Sequence, residues 1–467
     1  MPRRDTGLGQ EEFVMNQSER FLNEIDDLAK REIPEEVMQR AKQSLVDYLA
    51  VTSAGAKFQE EKLEKYVSFA EPEAGKYTAI GIEKKLTLKE AVFLNGLNGH
   101  ALDFDDGTNS GIIHLGSPIF SLLLPLAEKY GKTTDELLRA AVIGYETSYT
   151  LAVSIQPDHK AMGYHATGTC GTVGAAIAAC YFLGFSEEER KNAFAAACTA
   201  ASGVLKVLDE GSELKPYNAA KTALLALTSI ELAKAGFVGP SDPLGGRGFL
   251  KMMTGKETVE LKPLLLNGTY AIRKTYTKPY ASCRYTHPSI EAAVRLTNEN
   301  GLHAEDIREV NIKTYALAVS GHDHVIIPGA YSAKMSIPYS VAVGIIYGKA
   351  GLQEFDETVV KKPDVLALTQ KVHVAADEAL SESFPRLQSA VVEICTDKDR
   401  FTKRVDFPKG EPENPLTENE FRMRYAGLMA YAGTDAETAE TIYDSVFAGN
   451  RRTSDILSLF HKETQRS

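Results

Sequence analysis

The sequence contains few cysteines, and their arrangement excludes two classes of small stabilised protein. Five of the 467 residues are cysteines, an odd number, and they are widely spaced without a C-x-x-C pair. Cysteines in this arrangement predict neither a disulfide framework nor a zinc knuckle. A reducing compartment fits them best, so we expect a cytoplasmic protein.

An excess of positive charge is also absent. The chain has 52 Lys and Arg residues against 63 Asp and Glu residues, a formal net charge of -11. This balance disfavours nonspecific binding to nucleic acid or anionic lipid, so we expect no nucleic-acid and no membrane partner. The longest apolar runs fall short of the roughly 18 to 20 residues that span a bilayer. The N-terminal MPRRDTGLGQEEF lacks the apolar segment of a secretory signal.

The length and the first 270 residues predict a helical body within a chain of two or three domains. Apolar residues between Leu28 and Leu49 recur mostly at every fourth position, which predicts one face of a helix. Thr133 and Ser186 are each followed three residues later by a glutamate, as in a capping box. Runs of small residues such as GTVGAAIAAC let helices approach closely, so we expect a tightly packed all-α region.

The pattern changes near residue 270. Alternation at Tyr270, Ile272 and Tyr276 predicts a strand, and EVNIKTYALAV, SAVVEICTD and DRFTKRVDFP predict others from their β-branched and aromatic residues. Helical stretches at 289–298 and 340–347 lie between these strands, so this part is mixed. Residues 417–460 are helical again and are expected to pack back on the first part. The predicted fold class is mainly α with an α+β part.

The sequence has ten histidines and no tryptophan, and the histidines are the natural starting point in a search for chemistry. Asp103, Asp105 and Asp106 precede His114, and a carboxylate near a histidine can raise its basicity, as a general base requires. From spacing alone, an acidic helix end with a solvated loop is favoured. His165 precedes a helix start whose free N–H groups suit an anion, and a simple capping loop explains this pattern equally well.

Two further segments place cations at predicted helix starts. Lys215 lies beside Pro216, where a lysine can reach into a cleft, although most lysines are solvated. In KPYASCRYTHPSIEAAVRL, the cations Lys278, Arg284 and His287 come just before a helix. This arrangement suits an anion, and it is equally consistent with a basic, solvated loop.

Two pairs of residues point to other chemistry. Cys283 and His287 suggest a Cys–His nucleophile, but closeness in sequence is not specific, and we favour substrate binding or acid–base work. His322 and His324 would share one face of a strand and could begin a metal site. Because two ligands do not make a site, a solvated or substrate-facing loop is favoured and no metal is predicted.

Five segments, in this order and spacing, resemble the MmgE/PrpD family over nearly the whole chain. They are NGHALDFDD with His114 following, GYHATGTCGTVGAA, ELKPYNAAKTALL, KPYASCRYTHPSIEA and AKMSIPYSVAV. The family includes 2-methylcitrate dehydratase, cis-aconitate decarboxylase and iminodisuccinate epimerase, which act on small polycarboxylates without a metal or organic cofactor. The resemblance implies a lyase that dehydrates or decarboxylates such a substrate. The alternatives are an epimerase of an iminodisuccinate-like substrate and a non-catalytic carboxylate-binding helical protein.

The resemblance also implies an architecture. A large all-α helical domain would comprise residues 1–270 and 411–467, a smaller α+β lid domain would comprise residues 271–410, and two chains would form a homodimer. The pocket would lie between the domains. The positions that match the family's active site are Asp103, His114, His165, Lys215, His287 and Tyr339.

The resemblance further implies roles for these residues. Lys215, His165 and His287 would stabilise the negative charge that builds on the substrate. Lys278 or Arg284 would add to the local positive pocket that an acidic protein needs to bind an anion.

Proton transfer and substrate choice depend on other positions. One imidazole held by Asp103 would serve as base or acid, and Tyr339 would donate or relay a proton. Ser336 and Tyr339 match an S-x-x-Y pattern that is decarboxylase-like and leans away from epimerisation. The loop GTNSGIIHLGSP lacks the Trp-containing stretch of several dehydratases and decarboxylases, so the family pattern does not determine the substrate.

Overall fold

A computed structural model of the protein describes residues 15–70 and 73–461, and these residues are mainly helical. The N-terminal sequence MPRRDTGLGQEEF, in which no secretory signal is expected, lies outside the described residues. The helices are α1 (Gln17–Ala29), α2 (Glu35–Phe58), α3 (Glu60–Ala70), α4 (Leu88–His100), α5 (Gly116–Tyr130), α6 (Thr134–Ile155), α7 (Asp158–Ala161), α8 (Ala166–Leu183), α9 (Glu187–Ala200), α10 (Lys215–Lys234), α11 (Phe249–Thr254), α12 (His287–Asn300), α13 (Ala316–Val319), α14 (Ala330–Met335), α15 (Ile337–Tyr347), α16 (Glu357–Val360), α17 (Pro363–Thr369), α18 (Glu378–Ser383), α19 (Glu418–Tyr431), α20 (Ala436–Ala448) and α21 (Thr453–Ser458).

The strands are β1 (Ala74–Tyr77), β2 (Glu309–Thr314), β3 (Val372–Ala376), β4 (Ala390–Cys395) and β5 (Arg400–Val405). Four of them form one sheet in the order β3-β2-β4-β5, in which β2 pairs parallel with β3 and antiparallel with β4, and β5 pairs antiparallel with β4. Buried residues such as Val310 and Val392 form a core with α12 and α15 on one face of the sheet. The predicted fold class, mainly α with an α+β part, is confirmed.

Small residues bring the central helices close together, as the sequence predicts. At Gly174 on α8, a Cβ atom would lie 2.6 Å from the carbonyl oxygen of Gly144 on α6. At Gly96 on α4, a Cβ atom would lie 2.7 Å from the Cα atom of Ala220 on α10. Since real Cβ atoms do not approach backbone atoms this closely, glycine is required for both helix pairs to pack as they do.

Helix α8 is the one helix among the described residues that is long and apolar enough to cross a membrane. The uninterrupted apolar runs in the sequence are shorter than this helix, because its first turns contain threonine and glycine residues. However, 89% of this 18-residue window is buried inside the protein, against α5, α6, α9 and α10. The apolar character of α8 therefore serves the helical core.

The predicted helix starts are confirmed, but the first apolar pattern is divided between two helices. Thr133 and Ser186 form capping boxes at the starts of α6 and α9. The apolar pattern from Leu28 to Leu49 belongs to two helices, because α1 ends at Ala29 and α2 begins after Pro34. Proline has no N–H to donate and disfavours helical geometry in the residue before it, so the helix breaks there.

The strand expected near residue 270 is wrong. Residues Ala271–Lys274 form a 3₁₀ turn, and Tyr276 makes only an isolated bridge with Gly107. The buried carboxylate of Glu146 accepts the backbone N–H groups of Leu265 and Ala271 at 2.6 and 2.8 Å. These two backbone N–H groups are therefore not available to a neighbouring strand. The alternation of side chains in the sequence gives no sign that the Glu146 carboxylate binds them.

The C-terminal helices pack back on the N-terminal helical part, as expected. Helices α19 and α20 contact α2, and α21 contacts α5. The strands predicted in SAVVEICTD and DRFTKRVDFP are confirmed as β4 and β5. In EVNIKTYALAV the strand is confirmed only for β2, because the last residues form α13, and neither β1 nor β3 was predicted. The domain limits 1–270 with 411–467, and 271–410, stay predictions.

Candidate active site

A cavity of about 210 Å³ gathers residues from distant parts of the chain. This volume is below the range of roughly 300 to 1,000 Å³ that is usual for drug-sized ligands, so it suits a small molecule. Two predicted residues, His287 and Tyr339, are not among those that line it. The predicted residues that do line it are Asp103, His114, His165, Lys215, Lys278 and Arg284.

A turn after α4 places Asp103 at the cavity. Helix α4 ends at His100, and Asp103 adopts the left-handed conformation with φ of 51°. Aspartate tolerates this region better than most residues, and backbone in it is a recognised feature of functional sites. The chain then forms a short bridge in which the Thr108 N–H donates to the Ile113 carbonyl at 2.9 Å, and His114 follows just before α5.

Two lysines converge on the buried carboxylate of Asp103. Lys215 at the start of α10 and Lys278 donate to its Oδ1 atom at 2.6 and 3.0 Å. Burial by itself would raise the pKa of Asp103, but the two ammonium groups outweigh it and hold that pKa well below its usual value. Burial by itself would lower the pKa of Lys215, yet the charge of Asp103 outweighs this and raises it. All of this favours a charged carboxylate and a charged Lys215.

A third lysine, which sequence reasoning missed, lies beside this pair. Lys334 on α14 is buried and donates to the carbonyl of Leu102 at 3.1 Å. Burial lowers its pKa to about 7. It lines a small cavity together with Asp103 and Lys215. Its position in the segment AKMSIPYSVAV, one of the five that carry the family resemblance, was the available signal.

His100 and Asp105 form a buried pair behind the cavity, also unpredicted. His100 Nδ1 lies 2.9 and 3.0 Å from the two carboxylate oxygens of Asp105, and the Ser117 hydroxyl donates to the same carboxylate at 2.7 Å. Burial by itself would raise the pKa of Asp105, but His100 and His114 hold it well below its usual value. The His100 ring packs edge to face on that of His114, with centroids 4.5 Å apart.

His114 is placed as a neutral proton acceptor. Its Nδ1 atom lies 2.8 Å from the Asp106 carbonyl, which can only accept, so Nδ1 carries the hydrogen and Nε2 has a free lone pair. Nε2 lies 3.6 Å from Asp103 Oδ1. Burial lowers the pKa of His114 to about 4, so its imidazole is uncharged at neutral pH.

His165 occupies the N-cap of α8, as the sequence predicts for a residue before that helix. Its backbone N–H donates to the Gly203 carbonyl at 3.0 Å, but its side chain does not cap the helix. Its Nδ1 atom is buried and has no hydrogen-bond partner among the described residues. Burial, together with the charge of Lys215, holds its pKa well below the usual value. His165 therefore lines the cavity as a neutral imidazole, and its buried Nδ1 atom has no partner among the described residues.

Arg284 lines the cavity, but its charge is already paired. It makes a buried ion pair with Glu411, to which its Nε donates at 3.0 Å. Its Nη1 lies 2.7 Å from His287 Nδ1, which must accept because a guanidinium only donates. His287 Nε2 then donates to the Ser282 carbonyl at 3.2 Å. Both ring nitrogens of the fully buried His287 are thus used to hold Arg284, and the structure places His287 behind the cavity.

Tyr339 also lies away from the cavity. Its hydroxyl donates to the Glu354 carbonyl at 2.7 Å, and its ring packs on Phe355. Ser336 is the N-cap of α15, and its hydroxyl accepts the Tyr339 backbone N–H at 3.1 Å. The S-x-x-Y pattern therefore corresponds to a helix cap, and the predicted proton-relay role of Tyr339 stays a prediction that this geometry does not support.

Comparison with known proteins identifies the family of this chain. Family models of the MmgE/PrpD N-terminal domain and the MmgE/PrpD C-terminal domain match residues 19–262 and 280–448. The chain belongs to the MmgE/PrpD family.

Curated relatives of this MmgE/PrpD protein extend over most of its length. Cis-aconitate decarboxylase of Aspergillus terreus is 26% identical, covering 93% of this chain and 94% of the relative. The cis-aconitate decarboxylase-like protein oryM of Aspergillus oryzae is 26% identical, covering 96% and 98%. Cis-aconitate decarboxylase of Mus musculus is 24% identical, covering 87% and 86%. Family membership and these relatives support a lyase.

Helix α19 holds two site segments of this MmgE/PrpD protein together. Arg424 Nε donates to the Lys278 carbonyl at 2.7 Å, and its Nη2 donates to the Phe104 carbonyl at 2.8 Å. Its Nη1 pairs with the buried carboxylate of Asp47 on α2. One guanidinium therefore connects the Asp103 turn to the Lys278 segment, a contact between residues 146 and 320 positions apart in sequence.

The same site contains groups that could hold a metal ion. His100, Asp103, Asp105 and His114 offer ligand atoms that all lie within 4.8 Å of one another. Imidazole and carboxylate ligands suit several divalent ions. However, two ammonium groups already bind Asp103 Oδ1, and Lys334 is nearby. Because these cations would repel a metal ion, the site suits an anion better.

His322 and His324 do not converge on a common point. His324 Nε2 lies 3.1 Å from the Ser332 hydroxyl, whereas His322 lines the cavity and its Nε2 lies 3.4 Å from Cys283 Sγ. The favoured interpretation of this segment, a solvated or substrate-facing loop, therefore fits His322. Sequence reasoning paired Cys283 with His287, which lies four residues away, and missed this partner.

Asp106 supports the cavity loop and makes a testable contribution to stability. Its carboxylate accepts the Gly116 N–H at 2.9 Å and the Tyr145 hydroxyl at 2.7 Å, and burial raises its pKa to about 6. Because the pKa of Asp106 is higher in the folded than in the unfolded protein, protonation of Asp106 stabilises the fold. This stabilisation is complete below the unfolded pKa of about 3.9 and is lost as pH rises through about 6.

We therefore expect Asp106→Asn to change how stability depends on pH. Between about pH 4 and pH 6 the wild type should lose up to about 3 kcal/mol of unfolding free energy relative to the variant. Urea denaturation at a series of pH values measures this difference, and the fixed cost of the substitution cancels from its pH dependence. Parallel curves for the two proteins would show that Asp106 does not titrate in this range.

Proposed function

We propose that this protein is a lyase that acts without a metal or organic cofactor on a small di- or tricarboxylate. Within that class we propose decarboxylation of an unsaturated tricarboxylate such as cis-aconitate. The observation that carries the proposal is the convergence of Lys215 and Lys278 on Asp103 in the wall of a small cavity. The relatives that match over most of their length are cis-aconitate decarboxylases or decarboxylase-like proteins, which supports decarboxylation over dehydration.

The charge of the cavity suits a polyanion although the whole chain is acidic. Lys160, Lys215 and Lys278 line the cavity and carry three positive charges, against the negative charges of Asp103 in its wall and of Asp105 behind it. Lys334 adds a fourth cation when it is protonated. Interactions of this kind are stronger in a partly buried site than in water. A net charge of -11 favours binding of a carboxylate only where such local cations exceed the local acids.

Decarboxylation makes specific demands on this cavity. In an unsaturated tricarboxylate, the bond to one carboxylate breaks as CO₂ leaves, and its electron pair moves through the double bond to a carbon beside another carboxylate. That carbon then takes a proton. Fixed ammonium groups beside the remaining carboxylate stabilise the charge that develops there. Lys215 and Lys278 lie where they can do this.

The two neutral imidazoles bind and orient the substrate. His165 lines the cavity beside Lys215 and Asp103, so its neutral imidazole can form a hydrogen bond with a carboxyl or hydroxyl group of the substrate. His114 presents the Nε2 lone pair and can accept a proton or a hydrogen bond. If the substrate carries a hydroxyl instead of a double bond, His114 is the base that would begin dehydration.

One experiment tests the reaction class directly. The protein is incubated in D₂O with cis-aconitate, 2-methylcitrate, citrate and iminodisuccinate, and products are followed by NMR while released CO₂ is measured. We expect stoichiometric CO₂ from cis-aconitate and one deuterium on the carbon that is protonated.

The other outcomes separate the alternatives. A new alkene from a hydroxylated substrate without CO₂ would establish dehydration. Hydrogen exchange with inversion and no other product would establish epimerisation. Saturable binding without exchange or product would indicate a non-catalytic carboxylate-binding protein. The predicted homodimer and cytoplasmic location stay proposals, and light scattering of the purified protein tests the former.

A further inference from the structure

The proposed decarboxylation needs a proton donor, and the predicted site residues do not supply a good one. His114 and His165 are held neutral by burial, and a neutral imidazole is a poor acid. The raised pKa of Lys215 makes its ammonium a weak acid. His287 uses both ring nitrogens elsewhere. The pKa values of Lys160, Lys278 and Lys334 are lowered, but each ammonium already donates to another group, namely the Tyr285 hydroxyl, Asp103 and the Leu102 carbonyl, and Lys334 does not line this cavity. We therefore consider the remaining groups that line the cavity.

Cys283 and His322 form a pair on the cavity wall. Cys283 Sγ lies 3.4 Å from His322 Nε2, and both residues line the cavity. His322 Nδ1 lies 2.9 Å from the carbonyl of Ser320. Because a carbonyl only accepts, Nδ1 carries a hydrogen, and Nε2 is left to exchange a proton with the thiol.

The backbone fixes this pair in place. The Cys283 N–H donates to the Lys334 carbonyl at 2.9 Å, and its own carbonyl accepts from the Thr286 N–H at 3.0 Å. The Tyr285 ring packs edge to face on His322, with centroids 5.2 Å apart. The sulfur and the imidazole are thus held by separate segments that the tertiary fold brings together.

We propose that the thiol of Cys283, paired with His322, is the acid that protonates the substrate carbon after CO₂ leaves. The pair of the broken C–C bond forms the new double bond, the pair of the former double bond takes the proton from sulfur to form the new C–H bond, and a thiolate remains. His322 Nε2 then takes up a solvent proton, the imidazolium so formed stabilises the thiolate, and transfer of this proton to sulfur restores the thiol. The proposal rests on the proposed decarboxylation and names its proton donor.

The electrostatics of the pair agree with this role. Burial by itself would raise the pKa of Cys283, but His322 outweighs it and brings the pKa to about 7. Burial by itself would lower the pKa of His322, and Cys283 raises it overall. A donor with a pKa near neutrality combines proton availability with acid strength. Other titratable groups that act on the pair are Asp103, Lys160, Lys215, Lys278, Tyr285 and Tyr315.

Alkylation tests the pair without any substrate. The native protein is treated with iodoacetamide across about pH 5 to 9, and each cysteine is followed by peptide mass spectrometry. We expect Cys283 to react with a half-maximal rate near pH 7. Cys170, Cys180, Cys198 and Cys395 are buried, and burial raises the pKa of each thiol, so they should react far more slowly.

Two variants separate the pair from its surroundings. His322→Gln should move the Cys283 alkylation profile to higher pH, while His324→Gln, two residues away and bonded to Ser332, should leave it unchanged. An identical profile in His322→Gln and wild type would overturn the pairing. Protection of Cys283 by tricarballylate, a saturated tricarboxylate, would place the thiol at the bound ligand.

Kinetics test the donor role. Cys283→Ser preserves the size of the side chain but removes the acidic thiol, so kcat should fall about 10²-fold or more with little change in KM. In the wild type, kcat should fall as pH rises through about 7, and His322→Gln should move this limb to higher pH. A serine variant within a few-fold of the wild-type kcat would overturn the proposal.

The two proposals fail in different ways. If Cys283 behaves as a paired thiol but no carboxylate in the panel is converted, the proposed function is wrong. If cis-aconitate is converted and Cys283→Ser converts it equally well, the function stands and the donor assignment is wrong. Because serine keeps the side-chain volume, this test does not depend on whether a His322 variant folds.

Discussion

Replacing Lys215 by alanine is expected to lower kcat/KM for the native substrate at least about 10³-fold. The Lys215 ammonium lies 2.6 Å from Asp103 in a cavity of about 210 Å³. There it would stabilise charge that develops on the substrate more effectively than water can. The fold should survive, because Lys278 still donates to Asp103 at 3.0 Å and the buried carboxylate keeps a cationic partner.

The matched control is Lys234→Ala at the other end of helix α10. Lys234 pairs with Glu189 at the protein surface, where 62% of its side chain is exposed. Exposed ion pairs contribute little to stability, so this variant should match the wild type in turnover and circular dichroism. A Lys215→Ala protein that is folded and turns over cis-aconitate at near the wild-type rate would contradict the charge-stabilisation role.

Replacing His165 by alanine should lower kcat/KM about 10²-fold or more. Its imidazole lines the cavity, its buried Nδ1 atom has no partner among the described residues, and its side chain makes no cap for α8. The backbone bond to Gly203 does not depend on the side chain, so the helix start should be preserved. The loss should appear mainly in KM if His165 only binds the substrate, and in kcat if it acts in the transition state.

His373→Ala is the control for this experiment, since His373 is exposed on β3 and lies outside the cavity. It should leave the kinetic constants unchanged. Binding of tricarballylate measured by calorimetry distinguishes a lost contact from a misfolded site. Unchanged binding and unchanged turnover in a folded His165→Ala protein would remove His165 from the site.

The sequence predicted the local features of the fold well because their causes are local. A capping box depends on residues three positions apart, so Thr133 and Ser186 identify helix starts directly. The small residues of α8 and α10 predict close packing because backbone approach requires small side chains. The strand near residue 270 failed because its absence follows from Glu146, a side chain more than a hundred residues away.

In the candidate site, too, residues with a local sequence signal were predicted and contacts between distant residues were not. Lys215 and His165 were found because a proline or a glycine-rich helix start marks their positions in sequence. His287 was placed in the site because it is close in sequence to Lys278, yet its ring faces Arg284 and Ser282. Tyr339 was placed there by an S-x-x-Y match that caps a helix. Lys334 lies in a segment that matches the family and His322 in a loop considered substrate-facing, but neither segment reveals the partner of the residue, because Leu102 and Cys283 are far away in sequence.

The sequence by itself determined the family, the fold class and the gathering of acidic, histidine and lysine side chains in five segments. Few cysteines and a net negative charge already excluded a disulfide framework and disfavoured nucleic acid. Only the tertiary structure decided that Lys215 and Lys278 share Asp103, and that Cys283 pairs with His322 instead of His287. The physical reason is that charge pairing and burial depend on distances in space, which residues far apart in the chain acquire only when it folds.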